Sequence, residues 1–506
     1  MKQYEMFELQ FQGPEPEGAE TDSLLQAVFT CGKMTWCIQG FYAGNRQYKI
    51  RFLPTLTGVY LWEVTGIVQA KGKETCTKSE HSHGLVRAEG THFRYQDGTR
   101  YLPFGTTIYA LFHQTPELIE ETLTTLPAAP FNKVRLCLFP KHYLYNHNDP
   151  QFFPFRRNMD GTWDVKRPCM EYWDHLEEIM KKLSDMGIEA DLILFHSYDC
   201  WGFSTLQMEE WKCFLDYAVR RLAAFPNLWW SLANEYDLLF NRTLEDWHVL
   251  EEQIAEQDPY HHLLSCHNGF HFYDFTRPDI THCSVQTDAL YKAAEWQRRY
   301  QKPVIYDECC YEGNIGMNWG NISAFEMVHR FWCGVVSGAY VTHGETYLSD
   351  DDVLWWAKGG KLKGKSPARI AFLKKLAEGL PEALSPWEEP FDLDLTEINM
   401  TAEGQEHPGD LFIHLLNSGT EEERELQAAK NAAYTGHCGD EVFIKYYGRQ
   451  CPAAGTILLP KDQTYSLEII DIWEMTITPY RNGISGKQLL SLPGKEGIAV
   501  IARKIS

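Results

Sequence analysis

Long apolar runs are missing from this chain. No window of about 18 apolar residues occurs anywhere, so no membrane-spanning helix is expected, and the alternating polar and apolar residues 1–11 lack the core of a signal peptide. Positive charge is scarce. Lys and Arg number 47 against 69 Asp and Glu, a net charge of −22. A surface of that sign disfavours phosphate backbones and anionic bilayers, so neither nucleic acid nor membrane is an expected partner. Metal-type cysteine spacing is absent too. The 14 cysteines form no recurring CxxC pair, and Cys137, Cys266, Cys283 and Cys333 stand inside apolar runs, where they read as small core hydrophobes. Free thiols without a secretion signal point to a reducing, cytoplasmic setting. No glycine-rich phosphate loop follows a strand-like run, which counts against a nucleotide-binding doubly wound sheet. No Gly-x-Ser-x-Gly elbow is present, which counts against serine hydrolysis. Internal repeats and low-complexity segments are also lacking.

What is present divides the chain into three. Residues 6–12, 47–52 and 58–64 alternate with period two and are punctuated by Pro14, Pro16, Gly40 and Gly58, the pattern of a small β-sandwich over residues 1–88. From there apolar runs alternate with amphipathic stretches. The runs are 101–110, 131–139, 188–196, 228–235, 262–267, 280–286, 302–308 and 338–344. Helices are expected between them at 172–186, ending at Gly187, and at 211–225 and 244–257, with a last one at 367–379. Eight such units in residues 89–382 are the size of a (β/α)8 barrel. A proline-rich linker at 380–390 precedes a second β-sandwich over 383–506, with strands at 410–416, 441–448, 464–473 and 497–503 and a turn at Asn482–Gly483.

Strands of such a barrel aim their C-terminal ends at one mouth. Here those ends carry Arg135, His196, Asn234 with Glu235, His267, Gln286, Glu308, and His343 with Glu345. Strand interiors seldom hold charge, so a recurrence of this kind points to a site. The runs at 228–235 and 302–308 share one design, an apolar strand closing on a glutamate. Retaining cleavage of a glycosidic bond needs two carboxyl groups, one to protonate the leaving oxygen and one to attack the anomeric carbon. Glu235 is the expected acid/base and needs surroundings that raise its pKa. Glu308 is the expected nucleophile, with Arg135 as the cation that keeps it ionised. Asp307 should point to the other face of its strand. Glu312, in the following loop, is a rival nucleophile, and Glu345 a further carboxylate near the mouth. Tyr109 and Trp319 join the substrate-binding candidates. The long loop 141–167 is rich in aromatic residues and reads either as a substrate wall or as a lid packed on the rim.

Asn234–Glu235 closing the fourth run and Glu308 closing the seventh resemble clan A of the glycoside hydrolases. The stretches 307–313 and 329–339 are similar to a barrel group related to apiosidases and endoglucanases, and 440–448 and 469–477 resemble the sandwich that often follows such barrels. That resemblance implies a TIM barrel between two sandwiches. It implies Glu235 as acid/base, Glu308 as nucleophile, Asn234 on the sugar 2-hydroxyl and Arg135 beside the nucleophile. Two positions depart from it. Where many clan members place a tyrosine on the sixth strand, this chain has Gln286, with Tyr291 further on. Where many place a tryptophan after the eighth, it has His343, Gly344, Glu345, Thr346 and Tyr347. A different floor implies a different sugar ring or hydroxyl pattern.

The reading is a cytoplasmic retaining exo-glycosidase on small glycosides or oligosaccharides, with no cofactor and no metal, and with homo-oligomerisation left open. An endo-acting glycanase on plant polysaccharide and a non-catalytic carbohydrate-binding protein are the alternatives. A metal hydrolase would require at least three of His196, His267, His282 and His343 to converge.

Overall fold

A computed structural model describes residues 1–388, 418–423, 426 and 433–505. The chain separates into two units, one of residues Met1–Asp288, Glu295–Met327 and Tyr340–Lys374, the other of Ala289–Ala294, Val328–Ala339 and Lys375–Ser506.

In the first unit the amino-terminal strands form two facing antiparallel sheets. One runs Met34–Gln39, Leu25–Cys31, Gly58–Gly66, Ala70–Cys76 in spatial order; the other runs Phe7–Gln12, Gln47–Phe52, Phe41–Tyr42. Alternate residues of Leu25–Cys31 are buried, and Phe29 stacks on Phe52 at 4.0 Å between ring centres. This is the period-two burial of a sandwich core. Arg51 ties these strands to the barrel helices, with two hydrogen bonds to Glu177 at 2.6 and 2.8 Å and one to the Arg221 carbonyl at 2.8 Å.

Eight parallel strands make the barrel: Phe104–Thr107, Lys133–Cys137, Glu189–Phe195, Leu228–Ala233, Leu264–Ser265, Cys283–Gln286, Val304–Glu308 and Tyr340–His343, all within the expected runs. Backbone ladders join every neighbouring pair except the fifth and sixth. That seam is stitched largely by side chains. Ser265 Oγ donates to the His282 carbonyl at 2.6 Å, Leu264 N donates to Thr281 Oγ1 at 2.9 Å, and the Asn268 amide exchanges bonds with the Gln286 backbone at 3.0 and 3.2 Å. One backbone bond, Thr281 N to the Leu264 carbonyl at 2.9 Å, completes it. The helices that follow the strands include Pro116–Thr125, Met170–Asp185, Met208–Leu222, Leu244–Gln257 and Ser366–Glu378. A small sheet of Val86–Glu89, His92–Tyr95 and Arg100–Tyr101 packs Val86, Phe93 and Tyr101 against Trp229, Leu263, Ile305 and Tyr340. The boundary expected at residue 88 falls inside this sheet.

The second unit holds a six-stranded antiparallel sheet in the order Ser385–Pro386, Tyr434–Cys438, Val442–Tyr446, Ile498–Lys504, Tyr465–Asp471, Thr476–Ile484, with a separate pair Ala454–Leu458 and Lys487–Ser491. Phe443, Ile457, Leu467, Leu490 and Val500 are buried together. The strand expected at 410–416 lies outside the described residues. Asn482–Gly483 is not a hairpin turn. It lies within Thr476–Ile484 where the register with Tyr465–Asp471 shifts, so Gly483, at φ +70°, serves a bulge.

Candidate active site

Glu235 follows the fourth strand directly and is 8% exposed. Its backbone is left-handed, φ 53° and ψ 59°, a conformation that costs a residue with a side chain energy and that gathers at functional sites. Oε2 accepts from the Tyr198 hydroxyl at 2.6 Å and from Asn234 Nδ2 at 2.9 Å; Oε1 accepts from Gln286 Nε2 at 3.2 Å. Burial raises its pKa, the charge of Glu308 raises it further, and Lys141, Tyr198 and Gln286 oppose the rise.

Glu308 ends the seventh strand and is 4% exposed. Arg135 Nη1 lies 3.6 Å from its Oε1. The Tyr109 hydroxyl sits between Glu308 Oε1 and Asn234 Oδ1, the latter at 3.0 Å, and Arg135 Nη2 donates to the same Asn234 oxygen at 3.3 Å. Tyr109 and Asn234 thus bridge the two carboxylates. The buried Tyr311 hydroxyl is held far above the usual phenol range by burial first and by the Glu308 charge second.

Asp307 does not turn away as simple alternation requires. Strand six pairs Val285 with Tyr306 and then Gln286 with Glu308, so Asp307 is the extra residue of a bulge. Its carboxylate stays inside the barrel. It accepts from Lys133 Nζ at 2.6 Å, Thr342 Oγ1 at 2.8 Å and Ser284 Oγ at 2.6 Å. Lys133 also donates to Asp191 at 2.9 Å, and Arg135 Nε lies 3.6 Å from Asp191 and 3.9 Å from Asp307. Each carboxylate of this dry layer touches a cation, which is how buried charge is tolerated.

The other expected residues divide. Gln286 is at the site, but it bonds Glu235, while the tyrosine on the nucleophile candidate is Tyr109 from the first strand. His267 is fully buried with neither ring nitrogen hydrogen-bonded, and burial and the Arg135 charge hold its pKa well below normal. His196 Nε2 donates to the Phe139 carbonyl at 3.1 Å, and burial pushes its pKa down to about 4. Trp319 packs with Tyr109, Tyr311, Ile315 and Trp356.

His343 and Glu345 have their partners outside the cluster around Glu235 and Glu308. Thr342 points into the barrel, so His343 points out. It stacks on Phe131 at 4.7 Å, with Nδ1 3.1 Å from Thr106 Oγ1. Glu345 accepts from the amides of Lys363 at 2.6 Å and Gly364 at 2.7 Å. Glu312, the rival nucleophile, accepts from the amides of Lys365 at 2.8 Å and Ser366 at 3.2 Å and from the Tyr347 hydroxyl at 3.0 Å. Both carboxylates are spent on the entry to the helix Ser366–Glu378, where unpaired amides need acceptors. Glu312, His343 and Glu345 draw within 4.8 Å of one another, yet each carboxylate oxygen already holds an N–H. The four histidines of the metal reading do not meet. His282 lies against Phe93 and Trp229, and among the described residues only Glu312, His343 and Glu345 group at metal spacing.

Sequence reasoning missed Tyr198, Lys141, Tyr311 and Trp356. Lys141 and Tyr143 open the aromatic loop, and Tyr143 and Tyr145 meet the Trp356 ring at 5.2 and 5.8 Å. The second half packs elsewhere, with Trp163 on Phe203 at 4.9 Å and Phe155 near Phe214 at 5.9 Å. The first part of the loop packs on Trp356 and the second on Phe203 and Phe214. The Trp356 ring also meets those of Tyr109 and Tyr311, at 5.7 and 5.2 Å.

A family model described as apiosidase-like, catalytic domain, matches residues 87–396. Two models described as domains of unknown function, DUF5060 and DUF5605, match residues 1–66 and 431–503. No curated protein matches the chain. A solved structure of a candidate glycoside hydrolase from Bacteroides vulgatus ATCC 8482 is 32% identical, with 100% of this chain and 99% of that chain covered and a TM-score of 0.86. A glycoside hydrolase family 5 structure from the same organism is 14% identical over 83% of this chain and 94% of that one, with a TM-score of 0.59, a likeness of fold.

Proposed function

The chain belongs to the apiosidase-like catalytic-domain family and is a glycoside hydrolase with a clan A barrel; we propose that it is a retaining, exo-acting enzyme that releases sugars from small glycosides or oligosaccharides by double displacement. The observation that carries this reading is the unequal setting of two linked carboxylates. Arg135 stands 3.6 Å from Glu308, whereas burial and the Glu308 charge raise the pKa of Glu235. A cation beside one carboxyl group and a raised pKa on the other assign them as nucleophile and acid.

In this mechanism Glu308 attacks the anomeric carbon as the bond to the leaving oxygen breaks, and Glu235 gives that oxygen its proton. Glu235, now ionised, takes a proton from the water that attacks the glycosyl ester, and Glu308 departs as carboxylate. Asn234, fixed by Tyr109 and Arg135, holds a ring hydroxyl. The exo reading is supported by the aromatic wall of Tyr143, Tyr145 and Trp356 at the barrel mouth. A division near residues 88 and 382 into sandwich, barrel and sandwich belongs to the same proposal, as does a cytoplasmic location.

The test is a panel of 4-nitrophenyl glycosides of arabinose, xylose, apiose, galactose and glucose with the wild type, Glu235→Ala and Glu308→Ala. Each variant is expected to lose at least about 10³-fold in turnover on a poor leaving group. Azide should restore Glu308→Ala with a glycosyl azide of inverted configuration. Full activity in either variant refutes the assignment of roles, and release of internal fragments from a β-1,4-oligosaccharide ladder refutes exo action.

A further inference from the structure

Each of the two strand-end carboxylates has protein partners; one cation beside them has none. Lys141 begins the loop after the second strand, and its carbonyl accepts from Asn146 Nδ2 at 2.7 Å, which fixes where the side chain sets out. Its ammonium lies 3.4 Å from the centre of the Tyr109 ring, 4.1 Å from that of Tyr198, 4.9 Å from that of Tyr143 and 5.9 Å from that of Trp356. The residue is 2% exposed. Among the described residues no carboxylate comes within ion-pair distance of the ammonium and no protein oxygen accepts from it. Aromatic faces attract a cation, but they leave its three N–H groups without acceptors. The ammonium nitrogen is not sealed among the buried unpartnered atoms, so it opens on the mouth, and its acceptor is water or a molecule that displaces water.

The charge balance narrows that acceptor. The cationic side chains Lys133, Arg135 and Lys141 stand among the acidic side chains Asp191, Asp307, Glu235 and Glu308. An anionic sugar would bring a further acidic group against Glu235 and Glu308; a neutral hydroxyl does not. The two rings nearest the ammonium belong to Tyr109 and Tyr198, whose hydroxyls contact Glu308 and Glu235. The ammonium therefore sits where a sugar ring between those carboxylates presents its hydroxyls.

We propose that Lys141 is a glycone-binding residue that donates to a hydroxyl oxygen of a neutral sugar held between Glu235 and Glu308. The inference rests on the glycosidase reading above and deepens it. Lys141→Met and Lys141→Gln are compared with the wild type in two ways. Calorimetry measures the binding of xylose, arabinose, galactose and glucose. Kinetics measure kcat/KM on the 4-nitrophenyl glycoside cleaved best and on its monodeoxy analogues. Both variants, folded by thermal melt, are expected to lose about tenfold or more in sugar affinity and kcat/KM. On one monodeoxy analogue wild type and variants should coincide, because the contact is then absent from all. An equal penalty on every analogue overturns the proposal, as does sugar binding that is unchanged in the variants or absent from the wild type. A wild-type preference for uronic acid glycosides that Lys141→Met abolishes overturns the neutral class. Sugar binding that depends on Lys141 without turnover of any glycoside upholds the contact and refutes only the glycosidase reading. Should Lys141→Met fail to fold, Lys141→Gln carries the comparison.

Discussion

Tyr198 shows how one hydroxyl sets a carboxyl group to work. Its O–H donates to Glu235 Oε2 at 2.6 Å, a bond that favours the ionised form and so opposes the rise that burial and Glu308 impose. In the proposed mechanism Glu235 ionises as it gives its proton to the leaving group, and this bond would stabilise the charge then formed. In Tyr198→Phe the Glu235 pKa should rise further. The alkaline limb of kcat/KM against pH, which reports the protonated acid, is expected to move to higher pH while the acidic limb stays. Turnover should fall roughly 10–100-fold, the worth of a hydrogen bond of about 1.5–3 kcal/mol to a charged group. A fall in turnover with both limbs in place would assign Tyr198 to packing alone. Neither Tyr198 nor Lys141 is marked by its neighbours in sequence, since their partners stand on other strands.

At the scale of elements, strands seven and eight decide which carboxylates reach the mouth. The bulge at Asp307 keeps two successive acidic side chains inside the barrel, one locked to Lys133 and one beside Arg135. Strict alternation governs strand eight, so Thr342 enters and His343 does not. Beyond it, Glu345 and Glu312 close on the first amides of the helix Ser366–Glu378, and Gly364 lies so near that a Cβ there would stand 2.5 Å from Glu312 Oε2 and 2.6 Å from Glu345 Oε2. Burial first, and Glu312 as a like charge, push the Glu345 pKa up to about 7. A carboxyl group that binds its proton more tightly when folded favours the folded state at low pH. That contribution is lost as pH rises from the unfolded value of about 4.3 through about 7, because the folded state holds the extra proton in this window. Glu345→Gln removes the titration. Its melting temperature should fall less than that of the wild type between pH 5 and 8. Parallel curves for the two proteins would show that Glu345 does not titrate there.

Across the molecule, the amino-terminal strands are fastened to the barrel within one unit by charge as well as by apolar packing. Arg51 and Glu177, whose side chains are 5% and 10% exposed, form a two-pronged pair. Arg221 shares Glu177, and both partners hold the Glu177 pKa down to about 2. Arg51→Ala leaves Glu177 to Arg221 alone and is expected to cost roughly 1.5–3 kcal/mol in denaturant unfolding, the worth of a hydrogen bond to a charged group. Arg51→Met with Glu177→Leu should cost more than Arg51→Ala, since the buried Arg221 then loses Glu177 as well. Equal loss in the single and double variants would make packing, not charge, the reason.

Much of this was legible in the amino-acid order. All eight barrel strands, three of the helices between them, and the two glutamates at the ends of strands four and seven follow from local pattern, because apolar period and chain direction are properties of neighbouring residues. The side of the strand on which a residue lies was legible only where no bulge intervenes. His343, Glu345 and Glu312 read as mouth residues from their position in the sequence. Their actual partners, the amides of residues 363–366 in the case of the two glutamates, come from a loop that no periodicity announces. The sequence by itself determined the barrel and placed an acid at the end of two of its strands. Only the tertiary structure decided that Tyr109 faces Glu308, that Tyr198 and Gln286 face Glu235, and that Lys141 lies among four aromatic rings. A carboxyl group's charge state depends on dielectric and on charges a few ångströms away, and those neighbours are brought together by closure of the barrel, not by adjacency along the chain.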